Sequence, residues 1–202
     1  GKVGAQVTGR ISQPCADKSK LFRALAGLWT HGDGAIMLPP PQQVMFVPPR
    51  PYLPLTTLRG TITYPQPANA FDDAAVSAAL ERVGLARFVG QLVERERWDK
   101  ILSADEQQSL ALARLLLHAP QWVFFEDIGA GMNEEHCHLV RSIFAAELAM
   151  AAVIAGGTNS ALDGFHARTI HLRRRTAAAR ELTITDLAAV RKTSIGPKVA
   201  AA

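Results

Sequence analysis

Apolar residues in this chain recur in two ways, as short unbroken runs and as helical stripes, and the two alternate along most of its length. Val44-Met45-Phe46-Val47, Val123-Phe124-Phe125 and Val153-Ile154-Ala155 are unbroken runs of the kind that strands buried on both faces require. Val3 to Thr8 is a weaker run of the same type, and Thr169 to Leu172 is a last one. The run ending at Val47 is stopped by Pro48-Pro49-Arg50-Pro51, because proline cannot donate to a sheet ladder. Between the runs lie helical patterns. Leu21, Leu25 and Leu28 predict a helix over Lys18 to Trp29. Asp72-Asp73 caps a predicted helix over Ala74 to Val83, and a second short helix is expected over Ala86 to Val93. An Ala- and Leu-rich helix is predicted from about Asp105 to His118. Glu134 to Met150 is amphipathic, with Leu139, Ile143, Phe144 and Leu148 on one side. Leu58 to Tyr64 reads either as a helix start or as an extended segment, since Thr61 and Thr63 weaken a helix there. Gly9 to Asp17, with Pro14 inside it, reads as a loop.

Strands alternating with helices predict an α/β fold, a parallel sheet with helices on both faces. In such sheets ligands sit at the carboxyl ends of the strands. The segments after Thr8, Phe125 and Ala155 therefore form one candidate surface.

Composition narrows the class. The 202 residues are enough for one large domain with a well-buried core, and 48% hydrophobic against 20% charged residues argues against disorder. Two cysteines, Cys15 and Cys137, make no disulfide framework, so a reducing compartment is expected. The longest apolar stretch, Ile143 to Gly157, is interrupted by Glu147 and is too short to span a bilayer. Any membrane role is expected to come from a partner or from polypeptide outside these residues. The net charge of +4 is mild and concentrated late, in Arg173-Arg174-Arg175 and beyond. Residues 176–202 read as a basic, solvated tail, and no nucleic-acid partner is expected.

The densest chemical signal is Leu102-Ser103-Ala104-Asp105-Glu106-Gln107-Gln108, followed by the Ala/Leu-rich helix and then by Trp122-Val123-Phe124-Phe125-Glu126-Asp127. A polar turn, a helix and an apolar strand ending in two acids resembles the signature segment and Walker B strand of ABC-type ATPases. Phe22-Arg23-Ala24-Leu25-Ala26-Gly27-Leu28-Trp29, Pro51-Tyr52-Leu53-Pro54-Leu55 and Ala113-Arg114-Leu115-Leu116-Leu117 are similar to one branch in particular, bacterial half-transporters with a fused membrane domain that resemble the peroxisomal fatty-acyl transporters. The resemblance runs from about residue 1 to residue 175. It implies a P-loop NTPase-like parallel sheet with a helical subdomain inserted at about residues 52–106. It also implies that the family's first strands, which carry an aromatic that stacks on adenine, precede Gly1.

The resemblance carries roles onto particular residues. Gly9, Lys18, Ser19 and Ser103 fall on nucleotide-binding positions, Ser19 and Glu126 on magnesium positions, and Glu126, Asp127 and Thr158 on catalytic ones. The phosphate loop of the family, G-x-x-x-x-G-K-[ST], wraps backbone N–H groups around phosphates, with Lys on the outer phosphates and the hydroxyl on magnesium. Here Lys18-Ser19 is kept, but Asp17 replaces the preceding glycine, and eight residues separate Gly9 from Lys18 where the motif has five. Pro49 stands where the family has a glutamine that helps hold magnesium and water. Asp105 replaces the signature glycine, and its alternative role is a first-turn acid stabilised by the helix dipole. Glu126-Asp127 keeps two acids with their lengths exchanged. Ala130-Gly131-Met132-Asn133 replaces the family's SALD, and Thr158 replaces its switch histidine.

Changes at each of these positions imply a degenerate ATP-binding domain with weak or absent binding of ATP and magnesium and weak or absent hydrolysis. The resemblance further implies work at the cytoplasmic face of a membrane, as a soluble domain beside a transporter membrane domain and a second nucleotide-binding domain with intact motifs. The alternatives are a non-catalytic binding or regulatory module that retains the fold, and an active ATPase using Lys18, Ser19, Glu126 and Asp127. His136-Cys137-His138 offers metal-ligand atoms, but alternate residues on a helix point apart, and a surface patch is expected. Cys15, with Asp17 nearby, is expected to be an ordinary thiol.

Overall fold

A computed structural model of the chain describes residues 8–12, 18–29, 36–128, 132–157, 162 and 165–171. Its frame is a five-stranded sheet of β1 (Thr8–Ser12), β2 (Val44–Val47), β3 (Trp122–Phe125), β4 (Ala152–Gly156) and β5 (Arg168–His171). The strand order is β2-β3-β4-β1-β5, and every neighbouring pair is parallel.

Register decides which side chain faces which layer. Val123 pairs with Val153, Phe124 with Ile154 and Phe125 with Ala155. Side chains alternate across a strand. Val123, Phe125, Val153 and Ala155 accordingly join the core under α5 (Ala104–His118) and α6 (Glu134–Ala145). Phe124 and Ile154 face the other way, and pack with Phe22 and Leu25 of α1 (Lys18–Leu25). Phe46 of β2 stacks on Phe124 at 4.9 Å between ring centres. Both faces of β3 and β4 are thus dry, which is why these strands read as unbroken apolar runs.

The chain between β2 and α5 is helical. It contains α2 (Leu58–Thr63), α3 (Asp73–Arg82), a 3-10 turn over Ala86–Gln91 and the short α4 (Trp98–Ile101). The segment 58–64 resolves as a helix despite its threonines. Thr57 caps it, accepting from the Gly60 N–H at 3.1 Å. Its last carbonyls are closed from α5: Arg114 Nε and Nη2 donate to the Thr61 carbonyl at 3.0 and 2.7 Å, and His118 Nε2 lies 3.0 Å from the Thr63 carbonyl. Burial pushes the Arg114 pKa down to about 10, and burial also lowers that of His118. Arg82 on α3 pairs with Glu147 and donates to Ser142 Oγ at 3.0 Å, which ties this region to α6.

Several expected boundaries move. β1 runs through Ser12, so Gly9 to Ser12 is strand rather than loop. The helix expected to reach Trp29 stops at Leu25, because Gly27 turns the chain at φ +73° and leaves Leu28 exposed. α6 ends at Ala145 rather than Met150, and residues 86–91 form a 3-10 turn rather than an α-helix. Tail residues 176–202 lie outside the described residues, as do Val3 to Val7 of the first expected strand.

β3 and β4 close on each other at Gly156. A Cβ there would lie 2.4 Å from the Glu126 carbonyl oxygen and 3.0 Å from Phe22 Cε2. Gly156→Ala is expected to cost about 2 kcal/mol or more in urea denaturation, in the upper range for overpacking. Gly90→Ala, where a Cβ meets nothing within 4 Å, should stay within about 0.5 kcal/mol of wild type.

Candidate functional site

The carboxyl edge of the sheet gathers the chain's chemistry. Its first part is the entry to α1. The resemblance gives Gly9 to the phosphate loop. Gly9 sits inside β1, paired with Ile154 on one side and Arg168 on the other, and its backbone belongs to the ladder. The strand ends at Ser12 and α1 opens at Lys18, with residues 13–17 between them. Pro14, Cys15 and Asp17 lie outside the described residues. Lys18 opens α1 and Ser19 is exposed in its first turn, which carries no acidic residue.

The second part is the acid pair. Beyond β3 the ladder continues for three residues: the Glu126 N–H donates to the Val47 carbonyl at 3.1 Å, and the Ile128 N–H to the Gly156 carbonyl at 2.8 Å. Glu126 and Asp127 are thereby pinned between the ends of β2 and β4. Gly157 follows at φ +145°, a conformation that favours glycine, and its missing Cβ would stand 3.1 Å from Asp127 Oδ1. Only β4 separates β3 from β1, so the two strands lie about 10 Å apart across two strand spacings. Phe22, one turn into α1, meets the same Gly156 that meets the Glu126 carbonyl, which draws the two parts together. Thr158 lies outside the described residues.

The two acids line different cavities. Glu126 borders a cleft of about 290 Å³, walled by Phe22, Phe46, Tyr52 and Tyr64, with Arg23 and Arg114 at its margins. Asp127 borders a small cavity of about 20 Å³ with Pro49, Gln108 and Met132. Pro49 takes the place expected from the sequence and supplies no side-chain ligand.

The signature turn is a helix cap. Ser103 Oγ accepts from the Glu106 N–H at 3.2 Å, while the Ser103 N–H donates to Glu106 Oε2 at 2.9 Å. This capping box leaves the Ser103 hydroxyl proton free of the helix. Arg87 pairs with Glu106, and Gln107 Nε2 donates to the Asp99 and Leu102 carbonyls at 3.2 and 3.0 Å. Among the described residues, nothing joins Ser103 directly to Ser19, Glu126 or Asp127.

One link was missed by sequence reasoning. His136 and its neighbours do not form a surface patch. Cys137 is buried in the core, and only His138 is exposed. His136 bridges α6 to the first turns of α5: its Nε2 lies 2.9 Å from Ser109 Oγ and its Nδ1 3.1 Å from Asn133 Oδ1. Asn133 Oδ1 also accepts the His136 N–H at 2.8 Å as the cap of α6. Nε2 lies 3.2 Å from the Asp105 carbonyl as well, so the ring meets the first turns of α5 at two points. The available signal was Asn133 three residues before His136, a cap spacing. The partner on α5 comes from packing alone.

Among the described residues no group of three His, Cys, Asp or Glu side chains could hold a metal. The donors present are oxygens, from Ser19, Glu126 and Asp127, and this fits a hard ion such as magnesium better than zinc.

No protein-family model matches the chain. Curated relatives do. It is 33% identical over 158 residues to an uncharacterized ABC transporter ATP-binding protein of Haemophilus influenzae, across 78% of this chain and 26% of that protein. It is 32% identical over 142 residues to human ATP-binding cassette sub-family D member 3, across 61% of this chain and 21% of that protein. The chain thus spans about a quarter or less of these relatives. Among solved structures, a bacterial Atm1-family ABC exporter with ATP bound superposes with a TM-score of 0.61 at 21% identity, over 76% of this chain and 30% of that one, which bears on the fold. With a parallel sheet and an acid pair at the end of β3, the chain belongs to the family of ABC transporter ATP-binding proteins and has the fold of their nucleotide-binding domain.

Proposed function

We propose that this chain is a degenerate ATP-binding domain of an ABC transporter, with weak or absent hydrolysis, that acts beside a membrane domain. The observation that carries this reading is the acid pair. Glu126 and Asp127 stand at the end of β3, where the family positions magnesium and the attacking water, but with their lengths exchanged and lining separate cavities. A displacement of about 1 Å in a catalytic group can cost on the order of 100-fold in rate. Magnesium-ATP, when bound, brings the scissile phosphate and the charge that these oxygens would meet. The chain's own part is to hold it, through the α1 entry, Lys18 and Ser19, and to orient water through Asp127.

Asp17 opposes that binding. Like charges about 4 Å apart at an effective dielectric of about 20 repel by about 4 kcal/mol, on the order of a thousandfold in affinity.

A partner is supported by two exposed apolar side chains in the lining of the larger cleft, Leu28 and Tyr52, which are 75% and 62% exposed. Apolar groups exposed together on one surface mark interaction sites. Among the described residues no helix is long and apolar enough to cross a membrane. The same surface favours the second reading, a non-catalytic module that kept the fold for docking. The two separate on whether magnesium-ATP binds at all.

Three outcomes are expected. Calorimetric titration with magnesium-ATP should give a Kd above about 1 mM; tight, stoichiometric binding would overturn the degenerate reading. Asp17→Gly should improve ATP affinity more than Thr158→His, since Asp17 repels phosphate while Thr158 only fails to assist, and equal effects would count against the charge argument. In sedimentation the chain should stay monomeric with magnesium-ATP, because a head-to-tail pair of the family's type would set Asp105 of one copy near Asp17 of the other. An ATP-dependent homodimer would contradict it.

A further inference from the structure

Two basic side chains of one helix hold the end of α2. Arg114 and His118 stand one turn apart on α5 and share a face of it. Arg114 donates twice to the Thr61 carbonyl, and His118 Nε2 stands 3.0 Å from the Thr63 carbonyl. A carbonyl only accepts, so Nε2 carries a proton. The neutral imidazole, with its single proton on Nε2, already makes this bond. A second proton is not needed for it.

The surroundings resist that second proton. His118 is half-buried, with its ring edge-on to Phe71 at 5.2 Å between ring centres. Arg114 is buried, and its pKa of about 10 leaves it charged at neutral pH. Among the described residues no carboxylate pairs with either side chain, and Asp73, beyond Phe71, is taken by Arg59. Burial is the chief cause that holds the His118 pKa below its ordinary value. The Arg114 charge acts in the same direction, while hydrogen bonding to the backbone of Thr63 and Tyr64 acts against both. An imidazolium here would set a second cation beside Arg114 with no counter-ion, and lost hydration and like charge both oppose it.

This contact shapes the larger cleft. α2 has six residues, too few to persist alone. Tyr64 follows it directly, with the Arg114 guanidinium 5.3 Å from the centre of its ring. The Tyr64 ring also meets Tyr52 edge-on at 5.4 Å. Tyr64, Tyr52 and Arg114 all line the cleft.

We propose that Arg114 and His118 form an acid-sensitive latch on the cleft wall: when His118 takes a second proton beside the Arg114 guanidinium, the end of α2 leaves α5 and Tyr64 leaves Tyr52. The direction follows from the folded environment, which binds this proton less readily than the unfolded chain does. The contact's contribution is complete above about pH 6.5, the ordinary histidine value, and is lost as the pH falls below it. The latch acts on the shape of the cleft, so it stands apart from the nucleotide reading.

Nuclear magnetic resonance of the full chain tests it without nucleotide. At about pH 7.5 the His118 ring should carry its proton on Nε2 alone, and it should gain the second one only below about pH 6.5. Amide protection of Ile62 and Thr63, corrected for the intrinsic effect of pH on exchange, should fall at least about threefold between about pH 7.5 and about pH 5. The Overhauser contacts between the Tyr64 and Tyr52 rings should fade over the same range. In His118→Gln, whose side-chain amide can donate to the same carbonyl and takes no proton, the fall in protection should be less than about 1.5-fold. A second proton on His118 above about pH 6.5 overturns the proposal. So does a protonated His118 with the Tyr64–Tyr52 contacts unchanged, or a His118→Gln variant that loses protection as the wild type does. The first two outcomes are read on the wild-type chain and do not depend on the variant folding.

Discussion

The approach of β4 to β3 at Gly156 is the constraint on which the rest of the arrangement depends. With no side chain at 156, the Glu126 backbone, the end of β4 and Phe22 of α1 occupy neighbouring space. A single methyl group there would push apart the three segments that carry the acids, the β4 exit and the helix entry. The ladder bonds of Glu126 and Ile128 then hold the acid pair in place from both sides. The candidate site is therefore built from backbone contacts first. Its side chains, exchanged or replaced as they are, sit on a frame that remains intact.

The helical region is held by a different device. α2 is only six residues long and contains two buried threonines, so it has little stability of its own. α5 supplies the missing partners through Arg114 and His118, which close the carbonyls at the end of α2. Arg114 pays for this with a buried charge, the reason its pKa falls to about 10. α5 also carries the Ser103 cap at its start and the Ser109–His136 link to α6. One helix thus joins the signature turn, the helical region and the segment that follows the acids.

Much of the fold was legible because buried parallel strands leave a coarse mark. Val44–Val47 was read to the residue, and β3 and β4 to within one residue at each end, since their apolar runs face two dry layers. Caps were legible too: Asp72 accepts from the Ala75 N–H at 2.7 Å, as its position before a helical stripe implied. Boundaries set by the other end of a contact were not. β1 was read as ending at Thr8 because Gly9, Arg10 and Ser12 carry no strand signature. They are strand because β4 and β5 flank them and take up their hydrogen bonds.

By itself the sequence determined the alternation of strands and helices, the family resemblance and the identity of the altered residues, because these are properties of residue order. Tertiary structure alone decided where those residues meet. It paired Gly9 with strands on both sides, buried Cys137, gave His136 a partner on another helix, and set the two acids of one dipeptide against different cavities. The physical reason is the same in each case. A hydrogen bond or a cavity wall is shared by segments far apart in the chain, and residue order carries the donor or the acceptor without its partner.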